Sequence, residues 1–127
     1  MEISATLRNI LEIGFGVIYL IGGVFNAVYT FRNGEKFFGS FAENTWFSPG
    51  KWFISKFVIP NPRMFTITLI LFQLLVAIAL LSRGPFVGLG LLAGTVFSLY
   101  AVFVSNVQGA IVNIGLAVMQ FYLASIR

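Results

Sequence analysis

A carboxylate, a phenol and a carboxamide recur at intervals of seven along the first apolar stretch of this chain: Glu12, Tyr19 and Asn26. Seven residues are two helical turns, so on a helix the three groups fall near one line. Such a line can bind a carbonyl or a hydroxyl, and its acidic members can exchange a proton. Further amides follow at Gln73, and at Asn113 and Gln120, again seven apart. With Asn26 they either hydrogen-bond one another between helices or line a cavity for the head group of a lipid-soluble ligand such as a quinone. Each group also has a plainer role. Arg8 lies four residues before Glu12, a spacing that permits an interfacial ion pair, and Tyr19 and Asn26 can serve as interhelical glue.

The missing residue types narrow the chemistry further. The sequence has no cysteine, histidine or aspartate, and its carboxylates are Glu2, Glu12, Glu35 and Glu43. That removes thiol relays, disulfides, imidazole or thiolate ligation of haem, iron–sulfur ligation and the usual zinc and copper sites. A catalytic role is therefore poorly supported, and no metal or covalently bound cofactor is expected; a quinone or a lipid remains the plausible ligand.

The elements that carry these groups are dictated by hydropathy. Of the 127 residues, 58% are hydrophobic and 9% charged, far below the roughly 25% charged residues of a water-soluble domain. Lipid must be the solvent for most of this surface. Four spans are expected, at roughly 10–31, 64–81, 86–104 and 110–126, each near the roughly 20 residues that cross a hydrocarbon core. The first follows Arg8 with no small-residue cleavage site after it and reads as a retained helix. Pro60 and Pro62 mark the start of the second, the Ser82-Arg83-Gly84-Pro85 run turns the chain into the third, and "SNVQG" from Ser105 to Gly109 breaks the third from the fourth. Short links join antiparallel neighbours, so the expected fold is all-α, a single domain built as an integral membrane four-helix up-down bundle.

The eight basic residues leave a net charge of +4, but they sit at the edges of the apolar runs, which points to head groups rather than to nucleic acid. Five of them, Arg32, Lys36, Lys51, Lys56 and Arg63, fall in the connection between spans one and two. By the positive-inside rule that connection is cytoplasmic and both termini lie outside; Arg83 and Arg127 argue the other way.

Small residues mark contact faces. Gly90, Gly94 and Ser98 recur every four residues along span three, giving a ridge on which a second helix can approach closely, within the monomer or in a homo-oligomer. Gly14, Gly16, Gly22 and Gly23 do the same in span one, and the Gly22-Gly23 pair would permit a bend beside a bound molecule.

The connection at 32–63 is too polar for a fifth span. Its second half contains "SPGKWF", where Ser48 suits a helix N-cap and Pro49 the first helical position. The spacing of Trp52, Phe53, Lys56 and Phe57 predicts an amphipathic interfacial helix ending before Pro60. Trp46, Trp52 and the neighbouring phenylalanines then either face lipid as an anchor or fold over the mouth of the bundle as a lid.

The segment "LRNILEIGFGVIYLIGGVFNAVYTF", with its early charged residue, its glycines and Asn26 before a basic turn, resembles the DoxX-like family of small four-helix membrane proteins, and the order of the later elements is similar. That resemblance implies a prokaryotic cytoplasmic-membrane protein working with a quinone or a partner enzyme, and only Glu12, Tyr19 and Asn26 align with a recognisable pattern. The lack of cysteine departs from thiol-handling members. The expected function is a non-catalytic membrane subunit or small binding protein that holds a lipid or quinone-like molecule or docks into a redox complex. Alternatives are an oligomeric solute carrier or channel with Glu12 facing the pathway, and a quinone-linked oxidoreductase component with Tyr19 or Glu12 as proton donor.

Overall fold

The computed structural model describes residues 3–127; Glu2 lies outside the described residues. The described chain is all-helical, with helices α1 (Ala5–Phe25), α2 (Gly34–Asn44), α3 (Ser48–Phe53), α4 (Pro62–Leu81), α5 (Val87–Val104) and α6 (Val107–Ser125). Four of these are long and apolar enough to cross a membrane: α1 with its continuation to Thr30, α4, α5 and α6. They match the four expected spans to within a few residues. Their outward positions, among them Ile18, Leu75, Leu89 and Val118, expose large apolar side chains that water would not tolerate in such density.

Local chemistry explains where the long helices begin and end. Ser4 caps α1, its Oγ accepting from the Leu7 amide at 3.1 Å, and α1 runs on through a π turn at Asn26–Thr30. Pro62 opens α4 at a position where the missing N–H is not needed. After α4, Arg83 adopts φ 57°, a left-handed conformation that glycine or asparagine usually supplies. The break between α5 and α6 is shorter than "SNVQG" implies. Asn106 caps α6 by accepting from the Gly109 amide at 2.8 Å, so helix resumes at Val107.

The closest helix packing joins α1 to α4 and α5 to α6, with α4 against α5. Glycines permit it. A Cβ on Gly16 would meet Leu81 at 2.8 Å, one on Gly23 would meet Leu74 at 2.7 Å, and one on Gly90 would touch Ala79 at 3.0 Å. The main core comprises Phe15, Tyr19, Val76, Ala77, Leu80, Val87, Leu91 and Leu123.

The connection between the first two spans is more structured than its sequence announces. Residues 34–44, for which no helix was expected, form α2, and Ala42 joins Ile54 and Val58 in a second small core. Ser48 is not the N-cap of α3: Phe47 holds that position in extended conformation, and Ser48 is already helical, because the first backbone bond runs from Lys51 N–H to the Phe47 carbonyl. The helix continues through a π turn at Ile54–Val58 and stops before Pro60.

Candidate functional site

The polar groups of the spans gather into three clusters at different depths. At the end where α1 begins and α4 and α6 finish, the Glu12 carboxylate is fully buried. Its partner is not Arg8. Arg83 donates from Nη2 to Glu12 Oε1 at 2.7 Å, and Arg127 lies 3.4 Å from the same oxygen. Arg83 also donates to Asn9 Oδ1 at 2.7 Å and to the Leu80 carbonyl at 3.1 Å. These bonds offset the cost of its left-handed backbone, on the order of 1–2 kcal/mol. The tight turn after α4 therefore returns the guanidinium to α1, a long-range pairing that local spacing does not reveal. Arg8 is half-buried, and its Nε is buried with no hydrogen-bond partner among the described residues.

Midway along the spans, Tyr19 and Gln120 join α1 to α6 across α5. The Tyr19 hydroxyl donates to Gln120 Oε1 at 2.8 Å and lies 3.1 Å from the Gly94 carbonyl. Gln120 Nε2 in turn donates to Ser98 Oγ at 3.0 Å and to the Leu116 carbonyl of its own helix. Every hydrogen-bonding atom of the Gln120 side chain is thus used, and the residue is fully buried. Gly94 makes this possible, because a Cβ there would collide with Gln120 Oε1 and sit 2.7 Å from the Tyr19 hydroxyl. The Gly90-Gly94-Ser98 ridge accordingly faces inward, with Gly90 on α4 and the other two on this cluster.

The third cluster lies where α1 passes into its π turn. Asn26 Nδ2 donates to Gln73 Oε1 at 2.5 Å, and Thr30 Oγ1 donates to Asn26 Oδ1 at 2.7 Å. All three side chains are buried. Gly22 leaves the space that Gln73 fills, since a Cβ there would meet Gln73 Nε2 at 2.7 Å. The glycine pair therefore admits the neighbouring helix α4. The Asn26–Gln73 contact matches one expected link, and Thr30, which sequence alone does not single out because threonine is common in apolar helices, completes it.

Asn113 does not join this network. It donates to the Gly109 carbonyl one turn back at 2.8 Å, and it lines an open polar groove of about 290 Å³ with Ser40, Asn44, Ser105, Asn106 and Gly109. Its seven-residue spacing from Gln120 places both on one helix, but Gln120 turns to Tyr19 and Ser98 instead.

The aromatic connection caps α5. The last carbonyls of a helix lack intrahelical donors. Here the Trp46 indole donates to the Val102 carbonyl at 2.6 Å, Thr45 Oγ1 donates to Phe103 O at 3.3 Å, and the Trp46 amide donates to Ser105 O at 3.1 Å. Gly50 presses against the Phe103 carbonyl so closely that no Cβ fits. Trp52, Phe53 and Phe57 remain exposed, with the Lys56 ammonium 5.5 Å above the Trp52 ring. Trp46 thus holds the segment down through its indole N–H while its ring, like the other three, stays partly exposed.

Chemically, the clusters present one carboxylate neutralised by two guanidiniums and a set of amides and hydroxyls that bond one another. Among the described residues no group of three or more histidine, cysteine, aspartate or glutamate side chains could hold a metal ion. No family model matches the chain, and no curated protein or solved structure matches it either.

Proposed function

We propose that this chain is a non-catalytic integral membrane subunit: a four-helix up-down bundle, with the α3 segment lying amphipathically at the interface, that docks laterally on another membrane protein. The observation that carries this reading is the mutual satisfaction of the interior polar groups. Tyr19, Gln120 and Ser98 bond one another, as do Asn26, Gln73 and Thr30. Amides already paired across helices act as packing glue and are poorly placed to receive a quinone head group. A carrier needs Glu12 on an open path, whereas its carboxylate is buried beneath Arg83 and Arg127. What remains available for function is the surface.

That surface suits lateral contact. Gly14 and Gly115 have nothing within 4 Å of an added Cβ, so a partner helix can approach the backbone of α1 or α6 there. The resemblance of the first span to DoxX-like proteins points in the same direction, toward a redox partner in a prokaryotic cytoplasmic membrane. The five basic residues between the first two spans favour a cytoplasmic connection with both termini outside.

The test is purification into lipid nanodiscs from the native membrane, with extraction and quantitation of bound small molecules. The docking reading expects less than one quinone per ten chains and a co-purifying membrane protein in fixed ratio. One quinone per chain, lost on Asn26→Leu, would replace it with the ligand-holding reading.

A further inference from the structure

Two guanidiniums meet one carboxylate where α1 begins, and a third, Arg8, lies one turn earlier on the same helix. Arg83 and Arg127 share Glu12, and Arg83 also holds Asn9, the residue beside Arg8. Arg8 sits one helical turn before Glu12, so it belongs to the same end of the same helix. It makes no ion pair among the described residues, and its Nε is shielded from solvent without an acceptor. A shielded guanidinium donor left unpaired is costly, and no acceptor for it is found among the described residues.

The chemistry of that acceptor follows from its surroundings. The side chains of Arg83 and Arg127 are 28% and 25% exposed, so each keeps donors on the outer side after bonding Glu12. Planar guanidiniums match phosphate oxygens in paired, bidentate geometry. The cluster lies at the ends of apolar spans, with Ile10, 59% exposed, close by on α1 to meet acyl chains. Phosphates occur at that depth in a bilayer as lipid head groups. Among the described side chains at this end, three cations face one anion, which disfavours a head group that brings its own ammonium.

We infer that the Arg8, Arg83 and Arg127 end of the bundle binds the phosphodiester of one anionic phospholipid. The lipid phosphate completes Arg8 and leaves the Arg83–Glu12–Arg127 clasp intact. The site is separate from the docking surface proposed above and stands or falls independently of it.

The experiment is native mass spectrometry of the full chain in mild detergent, titrated in turn with phosphatidylglycerol, phosphatidylcholine and inorganic phosphate. One phosphatidylglycerol per chain is expected, in preference to phosphatidylcholine and not displaced by inorganic phosphate. Arg8→Gln should weaken retention roughly fivefold, the share of one cation near a charged surface. Arg8→Lys should lose less, because it keeps the charge and gives up only the guanidinium geometry. Lys51→Gln, at the opposite end, should change nothing. Equal retention by Arg8→Gln and wild type, equal binding of phosphatidylcholine, or displacement by inorganic phosphate would each overturn the proposal. Because Arg8 lies outside the Glu12 clasp, its variants should keep the helical circular dichroism of wild type. If Arg8→Gln does not, the Arg8→Lys comparison decides.

Discussion

Alanine at Gly94 tests the most specific claim about the interior, that Gln120 packs its amide against the bare backbone of α5. A methyl group there would collide with Gln120 Oε1 and crowd the Tyr19 hydroxyl at 2.7 Å. Gln120 must swing away, losing its bonds to Tyr19 and Ser98. Two interhelical bonds at about 0.6 kcal/mol each give about 1.2 kcal/mol. Overpacking adds roughly 2 kcal/mol, within its usual range of about 1–3. The better helix propensity of alanine returns about 0.9 kcal/mol. The net is a loss of about 2 kcal/mol, roughly 30-fold in the unfolding equilibrium. Reversible unfolding in mixed micelles, followed by circular dichroism, reads this directly. Two comparisons separate the specific contact from a general glycine effect. Gly88→Ala, where nothing lies within 4 Å, should be neutral or stabilising by up to about 1 kcal/mol. In the Gly94→Ala background, Gln120→Ala should cost less than it does in wild type, because it removes the colliding amide. If Gly94→Ala and Gly88→Ala behave alike, and Gln120→Ala costs the same in both backgrounds, the Gln120 amide does not pack against Gly94.

The other clusters make parallel predictions. Glu12→Gln leaves two guanidiniums without an anion and should destabilise by roughly 2–3 kcal/mol, somewhat below a fully buried pair because the partly exposed arginines can reach head groups or water. Arg127→Gln, which leaves the shorter Arg83 contact in place, should cost about 1 kcal/mol or less in the same unfolding assay. Asn26→Leu strands a buried Gln73 carboxamide and should cost about 1–3 kcal/mol, whereas Asn113→Leu, bonded only within its own helix, should be near neutral. Gly50→Ala drives a methyl into the Phe103 carbonyl and should lift α3 from the end of α5. In a Trp52→Phe background, where Trp46 is the remaining tryptophan, that shows as a red-shifted emission and faster proteolysis of the connection.

Much of this architecture is legible from the sequence because lipid imposes simple rules. Length and hydropathy place the four spans, and Pro62 and the Ser82–Pro85 turn mark their ends. What escapes is long-range pairing. The Arg8 spacing offers Glu12 a plausible partner, but the left-handed turn at Arg83 delivers a guanidinium 71 residues away in sequence. Seven-residue spacing aligns Asn113 with Gln120 on one helix and says nothing of what each meets on the next. The missing side chain of Gly94 matters more than its place in a small-residue ridge, because Gln120 occupies the space. In the connection, "SPGK" signals a helix, whereas α2 starts on the weaker Asn33 and Glu35 signal, its N-cap side chain makes no capping bond, and packing of Ala42 on Ile54 and Val58 holds it. The capping role of Trp46 likewise depends on carbonyls freed at the end of α5, which sequence patterning does not show.

The central claim, that function lies on the outer surface while the polar interior holds the helices together, is tested most directly by site-specific photo-crosslinking in the native membrane. A crosslinking residue is placed in turn at Ile18, Leu75, Leu89 and Val118, one outward position on each span, with fully buried Leu91 as control. A discrete adduct with one other membrane protein is expected from one or two adjacent outward faces, and none from Leu91. Lipid adducts alone from all four outward positions would contradict it.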